Sequence, residues 1–226
     1  MNVKLISYSQ NIPTQELLSP SPENNSVQDL IAYCARVSNP SGQNNTETSA
    51  KLIKYLVKNK HWSPLEMVSA CLEIETTRDI ARQILRHRSF SFQEFSQRYA
   101  NPLKDLRFET REARLQDKTN RQNSIETENV ELHHQWMDIQ ENVIEASYDA
   151  YNWAIENGIA KEQARAVLPE GLTLSRMYMN GTLRSWVHYI ELRSANGTQK
   201  EHMLIAKECA NVIASIFPLM AEFKNE

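Results

Sequence analysis

The pattern of hydrophobic and polar positions predicts strands and helices in mixed order along the chain. Residues 67–77 alternate strictly, with Val68, Ala70, Leu72 and Ile74 on one face, which predicts a half-buried strand. Short apolar runs predict two more strands, at 3–8 and 172–179. Apolar spacing of three to four residues predicts helices after Ser26, at 46–60, 78–87, 160–168 and 183–193, from 130 to Gly158, and near the C-terminus. We predict an α/β fold of the α+β type, with a twisted, mostly antiparallel sheet flanked by helices.

Local signals set the ends of several elements. Ser26 and Asp29 have the spacing of a capping box, and the helix that they start has an apolar face of Leu30, Ile31, Cys34 and Val37. In the predicted helix 78–87, Gln83, Arg86 and His87 share the polar arc, so they should line one pocket wall. Arg88 would fall on the apolar side, so we expect the helix to end near His87 and Arg88 to face a second ligand. Residues 180–182 are expected to turn from strand into helix.

The long helix predicted from Val130 carries a continuous apolar seam. Its residues follow a four-three spacing: Leu132, Trp136, Ile139, Val143, Ala146, Ala150 and Trp153. Such a seam packs against another helix, either within the same chain or in another subunit, and periodicity does not separate the two. The predicted fold includes long helices in an oligomer core.

Residues 117–129 form a polar excursion whose single apolar residue is Ile125. That composition is typical of a mobile segment, for which a lid is one interpretation. The whole chain, residues 1–226, is otherwise predicted to be one domain.

Composition and charge argue against several classes of protein: nucleic-acid-binding, disulfide-bonded and membrane proteins. The net charge is −3 and the pI is about 6.1, which argues against a nucleic-acid partner held by overall charge. Cys34, Cys71 and Cys209 lie far apart, as is typical of reduced thiols in a cytoplasmic protein. The first residues lack the apolar core of a signal peptide, and no apolar run has membrane-spanning length, so no membrane association is expected.

Residues 86–99 hold the densest candidate chemistry. The segment contains three Arg, one His, three Ser and one Glu, interleaved with three Phe and a Tyr. Guanidinium groups offer planar forks of donors to phosphate or carboxylate oxygens, so the segment suits a phosphorylated ligand. A solvated basic loop is the alternative, but the aromatic residues and the preceding apolar helix are unusual for one.

Arg86-His87-Arg88, followed after seven residues by Ser96-x-Arg98-Tyr99, resembles the defining motif of the flavin-dependent thymidylate synthases. Further blocks of similarity extend from Ala35 to Glu201. The resemblance implies FAD as the cofactor. The chain has only five Gly and no Gly-x-Gly-x-x-Gly, so FAD would be held by a scaffold other than a Rossmann fold.

The resemblance implies flavin contacts in several blocks: Ser38, His61, Ser63, Arg86, His87, Arg88, Glu94, Asn180, Thr182, Arg184 and His188. The block that contains His61, Ser63 and Glu66 ends in His in the family. Met67 stands there in this chain.

The same resemblance implies that the chain methylates deoxyuridine monophosphate (dUMP) to dTMP. The carbon would come from 5,10-methylenetetrahydrofolate, and the hydride from NADPH through FAD. The implied nucleotide contacts are Gln83, Arg86, Glu94, Phe95, Ser96, Gln97, Arg98, Arg165 and Arg193. Arg165, Ser96 and Gln97 would hold the phosphate, although most members have Gly or Ala in place of Gln97. Arg193 and Arg98 would be catalytic, stabilising negative charge on the uracil ring.

Other chemistries find less support in the sequence. Ser96 as a nucleophile would need a base and an orienting group, and no cysteine lies beside a cationic cluster. A non-catalytic nucleotide or single-strand RNA binder would also interleave Arg with aromatic residues. A metal-dependent hydrolase would use His61 and Glu66, but two ligands are too few, and no metal is predicted.

The helix predicted at 183–193 bears on assembly. On a helical wheel Arg184 and His188 lie about 40° apart, whereas Arg193 lies about 180° from Arg184. One helix cannot aim opposite faces into one compact pocket. We therefore predict that it lies between two sites, each completed by residues of different chains, and the resemblance implies a homotetramer with flavin at subunit interfaces.

Overall fold

The computed structural model describes residues 1–11 and 26–224. Its strands are β1 (Asn2–Tyr8), β2 (Ser69–Thr77), β3 (Ser91–Glu94), β4 (Arg114–Gln116), β5 (Ser124–Glu126) and β6 (Leu174–Thr182). The main sheet has the order β1-β2-β6-β3 and is antiparallel at every pairing, while β4 and β5 form a separate hairpin. The predicted mostly antiparallel sheet, as opposed to a Rossmann fold, is confirmed.

The helices are α1 (Val27–Ala35), α2 (Ser49–Lys58), α3 (Arg78–Ile84), α4 (Pro102–Asp105), α5 (Val130–Glu156), α6 (Lys161–Ala164), α7 (Leu183–Arg193) and α8 (Lys200–Ala214). Short 3-10 turns occupy 40–42, 63–67, 165–167 and 218–223. The capping box predicted at Ser26 and Asp29 starts α1, and Gly158, at φ +77°, follows α5.

The core lies between one face of the sheet and the helices α3, α7 and α8. The alternation of β2 explains this, because Ala70, Leu72 and Ile74 are buried together on that face. Trp186 of α7 is fully buried, and its indole N–H donates to the carbonyl of Ala70 at 3.0 Å. Burial of this face anchors α7 against the sheet.

The opposite face of the sheet is open in the single chain. Tyr178 and Asn180 of β6 are exposed there, and Ile6 of β1 is exposed as well. Across the strands Arg176 pairs with Glu75 at 2.9 Å. This face is therefore partly exposed in the described chain and carries both polar and apolar side chains.

Three local predictions are wrong. Helix α3 ends at Ile84, three residues before His87, because the chain turns there toward β3. Residues 180–182 continue strand β6, and Thr182 is the N-cap of α7. Val37 lies beyond α1 and is exposed.

The polar excursion at 117–129 includes local secondary structure. It contains β5 and the turn that joins β5 to β4, and Asp117 stabilises that turn by accepting hydrogen bonds from Thr119, Asn120 and Asn123 at 2.8 to 3.0 Å. These bonds hold the pKa of Asp117 well below its usual value.

The apolar seam of α5 does not pack inside the chain. Trp136, Ile139, Val143 and Trp153 are all exposed, with Ile139 54% and Trp153 61% accessible. The residues of α5 that the chain does bury lie on a neighbouring stripe: Gln140, Ser147, Tyr151 and Ala154. Among the described residues, no helix is long and apolar enough to cross a membrane.

Candidate active site

The C-terminal end of α7 meets the segment after α3. Arg193 of α7 donates from Nε to His87 Nε2 at 2.9 Å, and the His87 ring packs edge-on against Tyr189. The two terminal nitrogens of Arg193 have no hydrogen-bond partner in the described chain. The guanidinium is therefore oriented through Nε while both of its Nη groups stay available to a ligand.

The protonation state of His87 follows from its surroundings. Burial, followed by the positive charges of Arg193 and Arg86, lowers the pKa of His87 to about 4. At neutral pH the ring is uncharged and accepts from Arg193, so its remaining proton sits on Nδ1. This imidazole was predicted as a flavin contact, and Nδ1–H remains available for such a role.

Gln83, in the last turn of α3, lies near this pair through His202, whose ring centroid is 6.3 Å from that of His87. Its amide donates to Gln199 Oε1 at 2.8 Å, and its own oxygen contacts Nδ1 of His202 at 3.2 Å. Gln199 in turn donates to Glu201. The end of α3, the end of α7 and the start of α8 thus converge on one polar cluster.

A second group forms around β3 and the segment that follows it. Glu94 accepts from the Ser175 hydroxyl at 2.7 Å and lies 3.7 Å from Arg78 Nη1, so its carboxylate is held by β6 and α3. The backbone N–H of Phe95 donates to Arg176 O and extends the pairing with β6. Gln97 is buried, and its Nε2 has no partner, so it offers a buried donor.

Arg98 and Arg165 come together at one acidic residue. Arg98 pairs with the Glu162 carboxylate at 3.1 Å, while Arg165 Nε donates to the Glu162 carbonyl at 3.3 Å. The Ser96 hydroxyl accepts from the Arg98 amide at 3.4 Å. No printed distance brings a side-chain base to Ser96 among the described residues, so the geometry gives no support to a serine nucleophile.

A third group lies at the start of α7. Arg184 forms an ion pair with Glu66, and the His188 ring packs 4.7 Å from Trp62. His61 is exposed, with its ring edge toward Tyr55. The predicted flavin residues of the 61–66 block and of α7 are thus neighbours.

Ser63 and Ser38 lie beside this group. Ser63 opens the turn at 63–67 and lines a largely apolar cavity of about 410 Å³ with Cys34, Pro64 and Met67. Met67, which replaces the histidine of the family, contributes a thioether to that wall. Ser38 is exposed in the turn after α1.

The loop between α3 and β3 rests on the junction of β6 and α7. The Ser185 hydroxyl donates to the carbonyl of Ser89, and Phe90 occupies the space where a Cβ of residue 181 would lie. Gly181 is therefore required for this close approach. Thr182 caps α7 by accepting from the Ser185 amide, and Asn180 is exposed opposite Ser91.

This loop presents cations that are not neutralised. Arg86 and Arg88 are exposed, and neither side chain makes a hydrogen bond or ion pair to another described residue. Guanidinium groups without partners favour an anionic ligand at this surface.

Helix α7 faces two separate groups, as its wheel predicts. Arg184 and His188 contact the 61–66 segment, whereas Arg193 contacts His87. Within one chain the predicted ligand residues of α7 therefore do not share one compact pocket.

The surroundings of the cysteines and the placement of possible metal ligands in the described residues do not support a thiolate nucleophile or a metal site. Burial raises the pKa values of Cys34, Cys71 and Cys209, which disfavours a nucleophilic thiolate. Residues 1–11 and 26–224 contain no group of three or more His, Cys, Asp or Glu placed to hold a metal.

Two residues at the site were missed by the sequence analysis. Tyr189 and His202 are buried and hydrogen-bonded to each other at 3.1 Å. His202 shares the stripe of Ala206 and Ala210, so a polar residue on an otherwise apolar helix face was the available signal.

Comparison with known proteins gives consistent matches. Residues 21–219 match the family model described as Thymidylate synthase complementing protein. The chain is 46% identical over 222 residues to a probable flavin-dependent thymidylate synthase of Paramecium bursaria Chlorella virus 1, and 44% identical over 223 residues to a flavin-dependent thymidylate synthase of Synechocystis. In both cases the alignment covers 98% of each chain.

A solved structure shows the same fold. The UMP/dUMP methylase PolB from Streptomyces cacaoi, bound with 5-Br dUMP, superposes with a TM-score of 0.77. The sequences are 23% identical, and the superposition covers 98% of this chain and 93% of PolB.

Proposed function

This chain belongs to the flavin-dependent thymidylate synthase family, and from that premise we propose that it converts dUMP to dTMP. The carbon comes from 5,10-methylenetetrahydrofolate and two electrons come from NADPH, so the other products are tetrahydrofolate and NADP⁺. Family membership makes the protein a flavin-dependent methyltransferase. The identities of the carbon and electron donors belong to the proposal.

The observation that carries the proposal is the arrangement of Arg193 on neutral His87. A permanent cation is held through Nε, with two free Nη donors. Such a group can donate hydrogen bonds to a uracil oxygen and stabilise the negative charge that develops there, without reorganising. Arg98, the second proposed catalytic cation, is paired with Glu162 and would have to exchange that partner for substrate.

The cationic, hydrogen-bonding and aromatic side chains around α7 and the loop after α3 suit FAD as a ligand. Arg86 and Arg88 are unneutralised, Asn180 and Ser38 are exposed hydrogen-bonding groups, and the ring of His188 lies beside Trp62. These residues, with His61, Ser63, His87, Glu94, Thr182 and Arg184, would hold the cofactor. When bound, FAD supplies the hydride that reduces the transferred carbon to a methyl group.

The nucleotide phosphate is assigned to Arg165, Ser96 and Gln97. The buried Nε2 of Gln97 lacks an acceptor, and a phosphate oxygen would satisfy it. Gln83, Arg86, Glu94, Phe95, Arg98 and Arg193 complete the proposed nucleotide contacts.

The active sites are proposed to form in a homotetramer. The exposed seam of α5 and the two-sided contacts of α7 support assembly from more than one chain. A single domain and a cytoplasmic location remain predictions from length and composition.

The proposal is tested on freshly purified protein. We expect a yellow preparation with FAD near one per subunit, and NADPH oxidation coupled to dTMP formation when dUMP and the folate are present. Arg165→Ala should weaken dUMP binding about ten- to a hundredfold in titration calorimetry, because a charge-assisted contact is lost, with flavin content unchanged. Arg82→Ala is the matched control, since Glu170 already binds that guanidinium.

Two outcomes would contradict the proposal. One is a colourless protein that cannot be reconstituted with FAD. The other is an Arg165→Ala variant whose affinity for dUMP is unchanged.

A further inference from the structure

A continuous chain of hydrogen bonds leads from the core to the proposed nucleotide site. Tyr189 OH lies 3.1 Å from His202 Nε2, and His202 Nδ1 lies 3.2 Å from Gln83 Oε1. Gln83 Nε2 lies 2.8 Å from Gln199 Oε1, and Gln199 Nε2 lies 3.0 Å from Glu201 Oε2. Arg114 then pairs with the other oxygen of Glu201.

The direction of this chain is set at its outer end. Glu201 is a carboxylate beside a guanidinium, so it can only accept hydrogen bonds. Gln199 must therefore turn its NH₂ group toward Glu201 and its oxygen toward Gln83. That oxygen accepts only, so Gln83 must turn its own NH₂ group toward Gln199 and its oxygen toward His202.

The protonation states of His202 and Tyr189, at the buried end of the chain of hydrogen bonds, agree with this direction. The Gln83 oxygen requires a donor, so His202 must carry its proton on Nδ1. Burial, then the positive charge of Arg193 and the neighbouring His87, lower the pKa of His202 to about 3, so the ring is neutral and Nε2 accepts. Burial also raises the pKa of Tyr189 well above its usual value, so its hydroxyl keeps the proton that it donates.

We propose that His202 is a positioning residue that, together with Gln199 on the other side, holds the Gln83 amide in this orientation, and thereby makes this side chain a hydrogen-bond donor toward the nucleotide. One Nε2–H of Gln83 is used by Gln199, and the other has no partner among the described residues. If the amide flipped, its oxygen would face the Gln199 oxygen and its NH₂ group would face the Nδ1–H of His202. The site then selects a nucleotide that presents an acceptor oxygen to Gln83.

The inference rests on the proposed function, because dUMP is the ligand through which it is measured. In flavin-loaded protein, His202→Leu should weaken dUMP binding about three- to tenfold, the effect of one neutral hydrogen bond. In a Gln83→Ala background the same substitution should leave the affinity unchanged, because His202 acts only through Gln83. A purely structural role would weaken binding in both backgrounds.

Matched variants sharpen the result. His202→Asn places an amide NH₂ group near the position of Nδ1 and should recover most of the lost affinity. Tyr189→Phe removes the bond on the far side of the ring and should have a smaller effect than His202→Leu. Unchanged dUMP affinity in His202→Leu, or an equal loss in the Gln83→Ala background, would overturn the proposal.

A measurement on the unmodified protein decides the question even if the variants do not fold. ¹⁵N NMR of protein labelled with ¹⁵N at its histidine rings should show His202 as the neutral Nδ1–H tautomer throughout the neutral pH range. An Nε2–H tautomer would overturn the proposal. This measurement needs no nucleotide, so failure of the unmodified protein to bind dUMP would contradict the proposed function while the tautomer still tests this inference.

Discussion

Arg193 Nε donates to His87 Nε2 across 2.9 Å, so the position of a proposed catalytic cation depends on a neutral imidazole. The pKa of His87 is lowered from 6.5 to about 4, which means that the folded state binds fewer protons than the unfolded state between those values. Well above pH 6.5 the ring is neutral in both states, so the contribution of His87 to stability is present in full there. Stability is therefore lost as the pH falls through this window.

The first prediction is a decrease in the free energy of unfolding from about pH 7 to about pH 5, with a slope of up to about 1.4 kcal/mol per pH unit for each imidazole involved. His87→Gln should reduce the slope, since a glutamine oxygen can accept from Arg193 without titrating. Urea denaturation at both pH values measures this. Asn142→Ala, at an exposed position of α5, removes no titrating group and should leave the slope unchanged. An unaltered slope in His87→Gln would contradict the assignment.

The second prediction concerns the loop packed at Gly181. A Cβ at this position would lie 2.4 Å from Phe90 Cδ1, so Gly181→Ala should destabilise the protein by about 1–3 kcal/mol through overpacking. Adding Phe90→Leu should cost less than the sum of the two single changes, which chemical denaturation can establish. Gly171→Ala is the control, since its Cβ would have no atom closer than 3.9 Å. A tolerated Gly181→Ala would argue against the close packing.

The third prediction concerns the seam of α5. Ile139→Lys with Val143→Lys should reduce the size of the assembly, because charge would replace apolar side chains that the single chain leaves exposed. Light scattering after size-exclusion chromatography measures the mass. Glu141→Lys changes charge on a different exposed face of the same helix and should leave the mass unaltered. An unchanged mass for the double variant would place the interface elsewhere.

The fourth prediction tests shared active sites. Arg193→Ala and Arg88→Ala should each be nearly inactive, yet mixed oligomers should regain activity. If the two residues of one site come from different chains, random mixing at equal amounts leaves about a quarter of the sites intact. Subunit exchange followed by a dTMP assay measures the recovery. No recovery after confirmed mixing would mean that one chain supplies both residues.

Much of the fold follows from periodicity. The alternation of β2 predicts its buried face correctly because each residue of a strand reverses the side to which it points. The bounds of α7 also match the prediction of 183–193. Both elements pack against the core of their own chain, so their sequence carries the full signal.

Other features depend on contacts that sequence spacing does not encode. Helix α3 stops at Ile84 because the following loop packs Phe90 onto Gly181, a contact across about ninety residues. The seam of α5 was visible, but its partner was not, since one chain's sequence does not state what covers it. His202 was overlooked because an isolated polar residue on an apolar stripe acquires meaning only from Gln83 and Tyr189.

The two-sided contacts of α7 also limit how the length of this chain can vary in evolution. Arg184 and Arg193 are nine residues apart, or about 14 Å along the axis, and one inserted residue would rotate Arg193 by about 100° away from His87. The turn 117–123 is stabilised largely by bonds within itself, so residues added there would disturb only the tip of the hairpin. Related sequences should therefore differ in length at the hairpin and keep the same number of residues between the two arginines.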